Sequence, residues 1–104
     1  MQAALRAMLT DTLVHAAYLT QDGYGAPIYA AAVSIPARIE WEIRRVVDAM
    51  GQERVSRCKV FLDGAVVIDL RDQLILPDGT KPPLLSLASP RDLDGTIAHH
   101  EVML

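Results

Sequence analysis

A chain of 104 residues, 51% of them apolar, suits one domain with one modest core and is not disordered in composition. Its single cysteine, Cys58, excludes an intrachain disulfide, and no apolar run approaches the ~20 residues that carry a helix across a bilayer. The formal net charge of −3 argues mildly against a general nucleic-acid binder, and nothing resembles a secretory or transit signal, so a reducing cytoplasm is the expected place of synthesis.

Residues 1–9 are good helix formers with Leu5, Met8 and Leu9 at helical spacing. Residues 1–10 therefore read as either a short helix against the body or a loose arm ordered in an assembly. Strands are expected near 11–20, 28–35, 37–46, 53–62, 73–77, 83–89 and 96–103. Four Asp-Gly pairs, at 22–23, 63–64, 78–79 and 94–95, punctuate them, since the pair readily takes the positive φ of a tight hairpin turn. Pro82-Pro83 removes two ladder donors and delays the return strand to about Leu84. Residues 66–72 read equally as a short strand or a helical turn. The fold class is mainly β: one domain, 1–104, with a small antiparallel β-barrel over 11–104.

Two segments carry the clearest pattern. Ala37, Ile39, Trp41 and Ile43 alternate with charged residues, and Ser56, Cys58, Val60 and Leu62 alternate with Val55, Arg57, Lys59 and Phe61. Period two marks strands with one face toward a core. Antiparallel pairing then puts Ile39, Trp41, Val60 and Leu62 inside the barrel. Between these strands run Arg44, Arg45, Val46, Val47, Asp48, Ala49, Met50, Gly51, Gln52, Glu53 and Arg54, too many for a two-residue turn. They are expected to form a projecting loop or hairpin arm over 44–54. A helix competes over 40–50, where 43, 46, 47 and 50 are apolar, but the unbroken alternation over 37–44 favours strand. Residues 44–59 hold five basic and two acidic residues, a local +3 that leaves −6 for the rest. An acidic body with a basic arm implies surfaces for different partners, against the plain alternative of solvated strand faces.

The chemistry-bearing residues do not assemble a reaction centre in the sequence. His99 and His100 are adjacent, so on a strand they point to opposite faces and cannot easily share one ion. Cys58 occupies a core-like phase without a neighbouring base. The aspartates sit in or near turns, where they cap backbone, and lack the spacing of a calcium loop. No catalytic residue, metal site or cofactor is expected. A single-strand-binding barrel of the oligonucleotide-binding type is the rival class. Its weakness is five scattered aromatics, Tyr18, Tyr24, Tyr29, Trp41 and Phe61, on an acidic body.

Taken in order, the segments at 36–40, 44–51, 55–62 and 76–80 and the ending Asp94-Gly95-Thr96…His100-Glu101-Val102 resemble the head-completion, or head-to-tail stopper, proteins of long-tailed bacteriophages. The likeness covers roughly residues 11–104. It implies a small β-barrel that forms a homo-oligomeric ring in the virion neck, assembled in the bacterial cytoplasm. A portal or adaptor protein would lie above the ring and a tail protein below. The long loop would reach the channel, touch packaged double-stranded DNA without sequence preference and help retain it. The arm at 44–54 matches where that loop falls. Another neck or tail-completion protein, an adaptor or terminator, is the nearest alternative; no membrane partner is implied.

Overall fold

The computed structural model describes residues 9–104, in which every regular element is a strand. In chain order these are β1 (Asp11–Ala16), β2 (Tyr18–Gln21), β3 (Pro27–Tyr29), β4 (Val33–Val47), β5 (Glu53–Asp63), β6 (Gln73–Ile75), β7 (Ser86–Ala88) and β8 (His99–Met103). Six of them form one antiparallel sheet, in the order β6-β1-β4-β5-β8-β7, and β2 pairs with β3 in a separate hairpin. The larger sheet curls into a half-barrel. Its two edges, β6 and β7, are three residues each and are joined through the turn at 76–80. The expected helix at 1–9 lies, apart from Leu9, outside the described residues, and residues 66–72 form turns rather than a strand or helix.

The concave face carries the core. Leu13 of β1, Ala37 of β4, Cys58, Val60 and Leu62 of β5, Leu74 of β6 and Val102 of β8 are buried there with Leu76 and Leu104. Ile35, Ile39, Ile68, Leu84 and Leu87 pack against this cluster. From Ser56 onward the alternation in β5 decides the face: Ser56, Cys58, Val60 and Leu62 are buried, while Val55 and Arg57 are exposed. On the convex face Lys59 bonds Glu101 at 3.1 Å and lies over the Phe61 ring.

Turn geometry differs from the two-residue hairpins expected at Asp-Gly. Gly25, Gly51, Gly79 and Gly95 have positive φ, whereas Gly23 and Gly64 do not. All four positive-φ glycines share one frame. The glycine N–H donates to the carbonyl three residues back, and that same residue's N–H donates to the carbonyl just past the glycine. This is the three-residue loop closed by a left-handed glycine bulge. Aspartate caps it in two ways. Asp22 and Asp48 open their frames and accept from the N–H groups two and four residues on. Asp78 and Asp94, in Asp-Gly-Thr, instead hold the N–H and hydroxyl of Thr80 and Thr96. Gly64 serves a different purpose: a Cβ there would fall 2.1 Å from the Ile97 carbonyl oxygen.

Candidate interaction surface

β4 is 15 residues long, but its neighbour β1 pairs with it only from Val33 to Ala37. Where β1 begins, the Asp11 carboxylate accepts the Ile39 N–H at 2.9 Å and finishes that edge. Beyond this point β4 has one partner, β5, and the two run on as a bare ribbon to Val47↔Glu53. The 44–54 segment is therefore a paired hairpin, not a long loop. The helix considered over 40–50 does not form, because these backbone groups are committed to β5.

One irregularity shapes the ribbon. Trp41 faces Cys58 and Arg44 faces Ser56, so Glu42 and Ile43 together oppose Arg57. The extra residue is a β-bulge, which bends a strand and increases its twist. The ribbon tip then reaches the body: the Ala49 N–H donates to the Leu85 carbonyl at 3.2 Å, just before β7. Asp48 secures the turn itself. Its Oδ1 accepts the Met50 and Gln52 N–H groups, both at 2.9 Å, and its Oδ2 bonds Arg54 Nε at 3.0 Å. These bonds, Gln52 N–H foremost, hold the Asp48 carboxyl below its ordinary range.

Of the residues expected inside, Val60 and Leu62 are fully buried and Ile39 packs against the core. Trp41 does not follow them; it is 55% exposed. Its strand phase is the inward one, but β1 starts at Asp11, opposite Ala37, and does not extend alongside β4 as far as Trp41. Ile43, Val47, Met50 and Val55 are exposed as well, Ile43 by 80%. Val46 is half-buried. Two open grooves follow on the ribbon. The larger, about 370 Å³, is lined by Trp41, Glu42, Ile43 and Arg57. The smaller, about 260 Å³, is lined by Arg45, Glu53, Arg54 and Val55. Arg44 is paired with Glu42 at 2.6 Å and Arg54 with Asp48 at 3.0 Å, while Arg45 and Arg57 close no ion pair among the described residues. The surface is thus apolar residues interleaved with two guanidiniums that make no ion-pair contact among the described residues, of which Arg57 acts at longer range on the Asp78 carboxylate.

Two polar clusters elsewhere serve the fold. Asp72 is buried; its Oδ2 lies 2.8 Å from His15 Nε2 and accepts the Asp69 N–H, and its Oδ1 accepts the Tyr18 N–H at 2.7 Å. It ties the break between β1 and β2 to the turn before β6. Nothing in the sequence singles out this pair, because His15 and Asp72 lie 57 positions apart. His100 is buried on the inner face and His99 is turned outward against Phe61 and Glu101. His100 Nε2 lies 2.6 Å from the Val66 carbonyl and Nδ1 2.8 Å from the Ser89 hydroxyl. A carbonyl only accepts, so Nε2 carries a proton and donates to Val66, while Nδ1 shares its bond with the Ser89 hydroxyl. Cys58 is fully buried, and burial raises its thiol pKa.

No protein-family model matches the chain, and neither a curated protein nor a solved structure matches it significantly.

Proposed function

We propose that this protein is a ring-forming subunit of a bacteriophage neck, a head-to-tail stopper that closes the DNA channel and presents the surface to which the tail binds. The resemblance of residues 11–104 to that family supports the reading. The observation that carries it is the ribbon: a twisted hairpin that leaves Trp41, Ile43, Val47 and Val55 in water between arginines. A lone subunit gains nothing from such residues; an assembly buries them. A complete barrel and an arm turned into the channel belong, in this reading, to the ring. The short edges β6 and β7 are the strands left for pairing between copies. The arginines of the ribbon suit a DNA-lined channel, where phosphate contacts are independent of sequence.

The test is genetic and structural together. A phage lacking the gene is expected to yield filled heads that lose DNA and carry no tails, and cryo-electron microscopy of complemented particles should place the chain as a ring below the portal. Tailed, infectious particles formed without the protein would end the proposal.

The exposure of Trp41 favours one second reading. An aromatic face beside Arg57 is the element that stacks a nucleic-acid base, so a single-strand-binding barrel regains ground. Titration of the purified protein with a fluorescent single strand separates the two. Salt-sensitive binding lost in Trp41→Ala would support the second reading, and its absence the first.

A further inference from the structure

The ribbon and its counterpart sit at opposite ends of the molecule. β5 runs from Glu53 at the ribbon turn to Asp63, which pairs with His99 at the start of β8. The turn at 92–96 projects from that far end, anchored by the Arg91↔Ile97 bridge and by Arg91 Nη1 bonding the Gly95 carbonyl at 2.7 Å. Its tip is Leu93, a fully exposed leucine between Asp92 and Asp94. Asp94 is ionised at neutral pH, because the Thr96 hydroxyl and N–H bond its carboxylate and lower its pKa. The larger ribbon groove offers the inverse: Trp41 and Ile43 beside Arg57, a guanidinium with no ion-pair contact among the described residues though its charge reaches Asp78, while the fourth lining residue, Glu42, is paired with Arg44 at 2.6 Å.

We infer that the Leu93 turn of one copy docks in the Trp41–Ile43–Arg57 groove of the next, with Asp92 and Asp94 facing Arg57. This rests on the ring reading above and names the contact that would build it. An apolar knob flanked by carboxylates fits an apolar groove flanked by a guanidinium in shape class and in charge, and reversing either charge sets like against like. Because the two surfaces differ, the contact is heterologous. It propagates head to tail and closes into a ring where the rotation permits. The structured ends favour this over an adaptable one: Asp48 and the bulge fix the groove, and the glycine turn fixes the knob. A self-matched contact, groove on groove, would bring Arg57 against Arg57.

Disulfide trapping tests the pairing, with buried Cys58 left in place. Ile43→Cys mixed with Leu93→Cys should give a crosslinked heterodimer under mild oxidation. The double variant should give a ladder of dimers, trimers and higher species on a non-reducing gel. Arg57→Glu should reduce crosslinking about tenfold, and a partner carrying Asp92→Arg and Asp94→Arg should restore most of it. Crosslinks of 43 to 43 or 93 to 93 only, or none between 43 and 93, would overturn the inference. The same double variant in assembled particles keeps the two claims apart. Rings that resist crosslinking through this pair would sink the contact and leave the stopper reading intact. A ladder from purified protein, with no ring in particles, would do the reverse.

Discussion

Leu62 and Trp41 occupy the same inward phase of two paired strands, yet only Leu62 is buried. Coverage decides between them: Leu62 faces Ala37, where β1 still lies beside β4, and Trp41 extends beyond Asp11, the first residue of β1. Leu62→Ala should therefore cost about 2–5 kcal/mol, as lost transfer energy plus a cavity. Trp41→Ala should cost about 1 kcal/mol or less, the range of a surface change. Urea denaturation of the two variants checks the contrast; a Trp41→Ala midpoint as low as that of Leu62→Ala would put the tryptophan in the core. Asp72 presents the opposite case, a charged residue that reads as an ordinary turn aspartate and is buried with three partners. Asp72→Ala leaves the Tyr18 N–H unsatisfied and should cost about 1–3 kcal/mol, measurable in the same experiment.

At the scale of elements, the turns and the bulge set the geometry. Gly51 sits at φ 79°, where a side chain is strained, so Gly51→Ala should destabilise by about 1–2 kcal/mol. The turn carboxylates Asp48, Asp69, Asp78 and Asp94 all have pKa values below the ordinary 3.8, each through hydrogen bonds to the charged form. A depressed folded pKa adds stability above the unfolded value and loses it as the pH falls through the folded one. Thermal stability should thus hold at neutral pH and decline below about pH 4, and Asp48→Asn should show a shallower acid decline than the parent. The bulge invites a sharper test. Removing Glu42 restores one-to-one pairing, so the ribbon should straighten and lift Ala49 away from Leu85. Hydrogen exchange at the Ala49 amide should then speed up while the amides of β5 beyond Cys58 keep their protection.

For the molecule as a whole, the ribbon lies outside the core cluster. Replacing residues 47–53 by Asn-Gly, which closes the turn on the Val46↔Arg54 pair, should leave folding within about 1 kcal/mol, because the register is kept, the two-residue turn suits the strands and no core side chain is lost. The same change should abolish tail attachment or DNA retention in particles. If shortened protein supported normal infection, the tip would be no part of the gate. Charge follows the same division: a basic ribbon at one end and the Asp92–Asp94 turn at the other give the chain two unlike ends, as a head-to-tail repeat requires.

Local chemistry by itself determined much of this protein. Alternation identified β4 and β5 and the buried phase of β5, and Pro82-Pro83 held back the strand after it. Aspartate and glycine marked the turns, although which glycine took positive φ followed from the hydrogen-bond frame and not from the Asp-Gly pair. The bipolar charge and the basic, apolar stretch at 44–54 were also legible, because they are properties of consecutive residues. Tertiary structure alone decided which inward-phase residues found a covering layer, since burial depends on where a distant strand ends. It alone brought His15 to Asp72, bent the ribbon onto Leu85, and left the barrel half open, its two short edge strands unpaired with each other. Each of these depends on contacts between residues far apart in the chain, for which periodicity and turn chemistry carry no signal.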